Sequence, residues 1–304
     1  MKKFLNKLVN YNIMNYREVM IEEVSIFLLR NNYAVKQCTR VFDIIANGKN
    51  TLLIKVLKDA NSISEQTALR LKGTAYFLKA IPFIISSYAG SKLVDGVMYS
   101  RFGVNTVNFE TFKQIISNGV VFLTSSRAGE TLTVNSEVFK RKRRELNMSL
   151  KDVADYLGVS RKMVYDYEYG NSRITLQKAV KLYKLFGKSV FKPVVPSQFD
   201  NVDNLNTGKE SVFSRKFKQL GFKAFDVNSD FDVIAKKNTD IILTEVGDRK
   251  HFNVVFVSKL LGLLSLVVFK KKKPRSVASI AMKDFFEIEK ADELLNIVKS
   301  FGRR

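Results

Sequence analysis

The chain has 304 residues, 46% hydrophobic and 12% aromatic, which is enough for two or three ordinary cores and too apolar for wholesale disorder. Its formal net charge of +22 points to polyanionic partners, nucleic acid or an anionic membrane surface. A single cysteine, Cys38, and a single histidine, His251, exclude an internal disulfide and His-pair chemistry and leave too few ligands for a zinc site; a reduced, cytoplasmic setting is expected.

Residues 1–12 mix Lys2, Lys3 and Lys7 with Phe4, Leu5, Leu8 and Val9 and lack a small-residue cleavage site, so no secretory signal is expected. Helical spacing at Val24, Phe27 and Leu28 predicts a helix over 17–30, stopped by Asn31-Asn32. Strands are predicted over 33–38 and 41–46, then a turn at Asn47-Gly48 and a third strand over 51–57. A helix over 64–80 follows, then a short strand over 83–85 after Pro82, a strand over 104–107 and a helix over 110–116. Residues 119–136 read as a β-hairpin.

Four short helices are predicted next. The first runs over 138–146 and carries the basic run Lys140-Arg141-Lys142-Arg143-Arg144. Ser149 is an N-cap for a helix over 150–157, and Gly158-Val159 makes the turn, with Gly158 free to take the left-handed conformation. Ser160 caps a helix to about Tyr169, stopped by Gly170-Asn171, and a fourth helix runs over 175–186. Val153, small Ala154, Leu157, Val159 and Val164 supply the inner face. Residues 137–192 hold fourteen Lys/Arg against six Asp/Glu, a local charge of +8. A polar stretch over 193–208, with Pro196, Asn201, Asp203, Asn204 and Asn206, reads as a linker.

The C-terminal segment repeats the N-terminal one. Phe42-Asp43-Ile44-Ile45-Ala46 matches Phe231-Asp232-Val233-Ile234-Ala235, identical at four of five positions and separated by 189 residues. At that offset Val24, Leu28 and Tyr33 fall on Phe213, Phe217 and Phe222, and the strand 52–54 falls on 241–243. An ungapped register through helix, hairpin and third strand argues for duplication over coincidence. Residues 252–269 are the most apolar stretch, but Asn253, Ser258 and Lys259 interrupt it, so it reads as a buried helix and strand and not as a membrane span. A strand over 285–288 and a helix over 292–298 are predicted to close the chain. The basic run Lys270–Lys273 with Arg275 is read as a solvated loop or edge-strand protection at least as readily as a DNA contact.

The run Ser149-Leu150-Lys151-Asp152-Val153-Ala154-Asp155-Tyr156-Leu157-Gly158-Val159-Ser160 resembles the lambda/434 repressor and Cro superfamily. That resemblance implies that the helix after Ser160 enters the major groove of double-stranded DNA with its N-terminal residues toward the bases. The positions it assigns to DNA are Ser149, Leu150, Lys151, Ser160, Arg161, Lys162, Tyr165, Asp166 and Arg173, the last beside a phosphate. It also implies that Arg143 braces Glu168. Leu150 departs from the family, which often has a phosphate-binding glutamine there; this puts a backbone contact in question and not the fold.

The flanking segments, each a helix, a hairpin bearing an Asp and a third strand, resemble the restriction-endonuclease-like PD-(D/E)xK fold. That chemistry requires two carboxylates on a divalent metal and a lysine near the attacking water. Asp43 and Asp232 match the first acid. In ungapped alignment the third strand offers Glu245-Val246-Gly247 in one copy, an acid without the lysine, and Val56-Leu57-Lys58 in the other, a lysine without the acid. Neither set is complete, so no catalytic residue, metal or cofactor is expected.

Taken whole, the chain resembles a family of archaeal transcriptional regulators. The expected fold class is α/β plus all-α, with two duplicated restriction-endonuclease-like α/β domains (1–118 and 209–304) flanking a lambda-repressor-like helix-turn-helix domain (137–192), joined by the hairpin 119–136 and the linker 193–208. The expected function is sequence-specific transcription control in the cytoplasm, without membrane association; a homodimer is compatible with it, and no effector is named by the sequence. The rivals are a metal-dependent nuclease targeted by the repressor-like domain, and a coregulator that uses a repressor-like domain for protein contacts, as the bridging factors do.

Overall fold

The computed structural model describes residues 15–126, 129–199, 210–248 and 252–301; His251 and most of the expected linker lie outside them. The chain forms two compact units: Met1–Ile85 with Ser197–Arg304, and Ser86–Pro196.

The first unit opens with α1 (Tyr16–Arg30), begun by a capping box in which Asn15 and Glu18 satisfy each other's backbone donors. Strands β1 (Ala34–Gln37), β2 (Ile44–Asn47) and β3 (Thr51–Asp59) form an antiparallel meander. Val41, Phe42 and Asp43, expected in the second strand, precede it as a buried loop. Then come α2 (Glu65–Leu78), capped by Ser64, and β4 (Ile81–Ala89), a nine-residue strand where three residues were expected. Pro82 sits second in it, where a missing donor is tolerated.

The second unit holds β5 (Ser91–Lys92), β6 (Val97–Arg101), β7 (Val104–Val107) and α3 (Phe109–Asn118). Its hairpin is β8 (Leu123–Ser126) with β9 (Gly129–Val134). Helices α4 (Ser136–Glu145), α5 (Leu150–Leu157) and α6 (Arg161–Glu168) follow, then β10 (Arg173–Thr175), α7 (Leu176–Phe186) and β11 (Phe191–Lys192). β10 and β11 both pair with β9, so the four helices close on the hairpin and share its core.

The chain then completes the first unit with α8 (Val212–Gln219), β12 (Lys223–Asp226), β13 (Val233–Lys237), β14 (Asp240–Val246), α9 (Phe252–Leu261), β15 (Leu264–Phe269), β16 (Ser279–Ala281), α10 (Met282–Glu287) and α11 (Ala291–Phe301). The sheet order is β12-β13-β14-β15-β16, antiparallel up to β14 and parallel from β14 to β16. Residues 285–287 of the strand expected over 285–288 instead end helix α10, with Ile288 as its C-cap: Phe285 and Ile288 are both buried at a three-residue spacing, which is helical.

The repeat is visible strand by strand. Val35 pairs with Ala46 and Ala224 with Ala235, at the same 189-residue offset. The offset becomes 190 in the third strand, because Ile44 pairs with Ile54 whereas Val233 pairs with Thr244. It is 183 at the helix that follows: the bond from Ala80 N to Ala75 O is matched by Leu263 N to Ser258 O, and Lys79 and Gly262 are both left-handed.

The two copies pack on each other as a pseudo-two-fold pair. Phe42 meets its own counterpart Phe231, with ring centroids 6.4 Å apart. Gly73 of α2 lies against the Phe225 ring, and the matching pair on the other side is Phe256 under Lys36, with Nζ 5.8 Å from the ring centroid. A contact i–j mirrored by j–i is the signature of an isologous interface, here within one chain.

Candidate nucleic-acid interface

The helical part of the second unit is built on Phe139, Val153, Ala154, Leu157, Val164, Tyr167, Ile174, Leu182 and Phe186, all buried. Phe139 of α4 meets Phe186 of α7 edge-on at 5.5 Å. The two turn signals hold as expected. Ser149 and Asp152 form a capping box at the start of α5, with Ser149 N donating to Asp152 Oδ2 at 2.7 Å and Asp152 N to Ser149 Oγ at 3.1 Å. Those bonds to Ser149, the backbone donor foremost, hold the Asp152 carboxyl below the ordinary carboxylate value. Gly158 ends α5 with φ +66°, a conformation that costs glycine nothing. Ser160 Oγ then accepts from Met163 N at 3.2 Å and starts α6.

The expected brace is present. Arg143 Nε donates to Glu168 Oε1, and Arg143 Nη1 donates to Met148 O at 2.6 Å. Both side chains are largely buried, at 13% and 4% exposure. One guanidinium therefore ties α4 to the turn before α5 and to the end of α6.

Fixing α6 this way decides which residues face out. Val164, Tyr167 and Glu168 are buried; Arg161, Lys162 and Tyr165 are exposed, and Asp166 is half-buried. Ser160 and these four form one surface on α6. Ser149 and Lys151 are exposed at the start of α5, while Leu150 is half-buried against the core. Leu150 thus does packing work where the repressor family often has a glutamine. Arg173 is exposed on β10, with Nη2 3.3 Å from Thr133 Oγ1 of β9, so it belongs to the strand ladder and not to the α6 surface.

Sequence reasoning placed Tyr165 on the outer face and missed Tyr169. Tyr165 and Tyr169 stack with centroids 4.2 Å apart, and Lys140 of α4 sits 5.4 Å over the Tyr169 ring. Arg161, Tyr165 and Tyr169 recur every four residues, so helical spacing could have found Tyr169. The neighbouring Tyr169, before desolvation, pushes the Tyr165 hydroxyl above its ordinary value, and a neutral phenol can donate a hydrogen bond. The result is a solvent-facing strip of cations and aromatic rings, suited to phosphates and base edges.

The nuclease-like copies differ at their acid positions. In the N-terminal copy Asp43 is fully buried; its Oδ1 accepts from Arg17 and from Lys55 Nζ at 3.2 Å, and its Oδ2 from Val56 N at 2.7 Å. Lys55 also donates to Arg40 O at 2.6 Å. The strand register corrects the ungapped alignment: the residue matching Glu245 is Lys55 and not Val56, and Lys58 is exposed on the other face. A lysine ammonium therefore occupies the place of the second carboxylate. Burial holds the Lys55 pKa below its ordinary value, with Asp43 opposing. In the C-terminal copy Asp232 Oδ2 accepts from Val246 N at 2.8 Å, and the register sets it opposite the buried Glu245. Both acids are kept there, while Gly247 stands at the lysine position. Among the described residues no group of three or more His, Cys, Asp or Glu is placed to hold a metal ion. Cys38 is buried, and burial raises its thiol pKa well above the ordinary value. No helix of the described residues is long and apolar enough to cross a membrane.

Comparison with known proteins agrees with this architecture. Residues 17–121 match the PD-(D/E)XK superfamily domain, and residues 139–192 match a helix-turn-helix family. The chain is similar over nearly its whole length to archaeal proteins named as candidate HTH-type transcriptional regulatory proteins. The relative from Methanocaldococcus jannaschii is 27% identical over 96% of this chain and 99% of its own length. The one from Thermococcus gammatolerans is 26% identical over 94% and 98%, and the one from Archaeoglobus fulgidus 27% over 92% and 97%. No solved structure matches the chain significantly.

Proposed function

We propose that this chain, similar end to end to archaeal HTH-type regulatory proteins, is a sequence-specific DNA-binding transcriptional regulator of the cytoplasm. The observation that carries the reading is the outer strip of α6: Arg161, Lys162, Tyr165 and Tyr169 exposed on a short capped helix whose inner face is locked by Arg143 and Glu168. Such a helix enters the major groove by its first turn, where Arg161 and Lys162 donate to guanine O6 and N7, the commonest specific contact. Ser149, Lys151 and the α5 N-terminus meet phosphates, as helix N-termini do, and Arg173 neutralises one more. Ser160 and Asp166 orient the helix at the base edges. Leu150 contributes packing beside the backbone.

The flanking copies act as a non-catalytic scaffold. Asp43 already has two cationic partners, so its charge is neutralised without a divalent metal. The acids of the C-terminal copy lack the lysine. The nuclease reading has one observation in its favour, the retained Asp232 and Glu245 on neighbouring strands.

Capture of genomic fragments by the full chain, followed by footprinting, tests the proposal. A defined protected site is expected, with affinity that falls as salt rises. Uniform coverage of all fragments would leave only generic polyanion affinity.

A further inference from the structure

An open pocket of about 540 Å³ lies where the two copies of the first unit meet, lined by Arg40, Val41, Thr67, Arg70 and Asn228. Arg40 and Val41 come from the loop between β1 and β2, Thr67 and Arg70 from one face of α2, and Asn228 from the loop between β12 and β13. No carboxylate lines it.

Two guanidiniums of this chain meet an acid, Arg17 with Asp43 and Arg143 with Glu168, while Arg101, whose Nε is also buried without an acceptor, lies over the Phe102 ring. Neither Arg40 nor Arg70 has a side-chain hydrogen bond or ion pair among the described residues, and the Arg70 Nε is buried without an acceptor. A buried donor left so costs free energy until an acceptor reaches it. Arg40 is also held at φ +72°, a left-handed conformation that is strained for a residue with a Cβ.

The pseudo-two-fold supplies an independent comparison. The counterparts of Arg40, Val41 and Asn228 are Ser229, Asp230 and Thr39. On that side the loops close on each other: Thr39 Oγ1 donates to Asp230 Oδ1 at 2.9 Å, and Ser229 Oγ donates to Thr39 O at 2.6 Å. The side with an acid is shut by hydrogen bonds. The side with two arginines and Val41 in the acid's place is open.

We propose that this pocket binds a phosphoryl oxyanion, gripped by Arg40 and Arg70 with Thr67 Oγ1 and the Asn228 amide completing the donors. Guanidiniums bind phosphate bidentately, and the volume suits a small phosphorylated molecule. Because the ligand would touch both copies of the repeat, it would strengthen their packing.

The test uses the full chain as wild type and as Arg40→Gln with Arg70→Gln. Calorimetric titration with sodium pyrophosphate is expected to show binding that weakens by about tenfold or more in the double variant, the effect of losing charge-assisted bonds. Anisotropy with a random-sequence duplex separates the sources. A loss confined to pyrophosphate marks a small-molecule site, and a loss confined to the duplex marks a backbone phosphate. Should the double variant melt early, Arg70→Lys, which keeps the charge and loses the fork, must show weaker binding of the affected probe. Equal affinities for both probes in wild type and variant would overturn the proposal, and so would unchanged binding in a fully folded Arg70→Lys chain.

Discussion

At the scale of single residues, two charge clusters separate the two halves of the chain's design. Arg143 and Glu168 hold the helix-turn-helix together from inside. Glu168→Ala leaves a largely buried guanidinium with only the Met148 carbonyl, and should cost about 3 kcal/mol in chemical unfolding. This pair was legible beforehand because it rests on two positions in a well-marked motif. The Asp43 triad was not. Arg17 and Lys55 reach Asp43 from a helix and a neighbouring strand, and nothing in linear spacing distinguishes a lysine facing the core from Lys58, which faces solvent.

Asp43→Asn should destabilise the first unit by roughly 3 kcal/mol at neutral pH, because it strands the buried Lys55 ammonium. The sign of its pH dependence follows from Lys55. Burial depresses the folded-state pKa, and losing Asp43 removes the charge and hydrogen bond that raise it. The unfolded chain then binds the proton more tightly than the folded one, so stability rises with pH once the folded Lys55 begins to lose its proton. Melts of Asp43→Asn from neutral pH toward pH ~10 should therefore show the deficit shrinking relative to wild type. A deficit that stays constant or grows over that range would mean that Lys55 is not the group left without compensation.

At the scale of elements, legibility followed the strength of local signals. Capped helices with glycine stops came through: Ser149, Gly158 and Ser160 sit where their chemistry requires. Segments whose state depends on neighbours did not. The Phe285–Ile288 run is rich in aromatic and branched residues, yet it is helical apart from its last residue, because burial falls at a three-residue spacing. The third-strand register slipped by one because the second hairpin is one pair longer, with Lys237 opposite Asp240. That single residue moved the acid position from Val56 to Lys55 and changed the reading of the N-terminal site from a lost acid to a replaced one.

The packing of the two copies can be tested at Gly73. A Cβ there would lie 2.1 Å from the Phe225 ring, so Gly73→Ala must push α2 away from β12 despite alanine's better helix propensity. A net loss of about 1–3 kcal/mol is expected from overpacking, read as a lower unfolding midpoint. A gain in stability would show that α2 and β12 have room to spare.

For the whole molecule, the duplicated nuclease-like fold and the repressor-like domain make opposite functional suggestions, and the chemistry of the acid positions favours the second. Plasmid DNA incubated with the full chain and magnesium or manganese should remain supercoiled. Cleavage that disappears in Asp232→Ala would restore the nuclease reading, since Asp232 and Glu245 are the acids the fold retains. The overall charge of +22 points to polyanions, but charge alone separates neither DNA from RNA nor reading from coating. The claim of sequence reading rests on α6.

That claim is tested most directly by Arg161→Ala and Arg173→Ala, each measured on the footprinted site and on random duplex at two salt concentrations. If α6 reads bases, Arg161→Ala should weaken the specific site by roughly 1–3 kcal/mol and relax preference at one base pair, with much less effect on random DNA. Arg173→Ala should weaken both about equally and lower the salt slope by about one unit. Equal losses on specific and random DNA for Arg161→Ala would contradict base reading by α6.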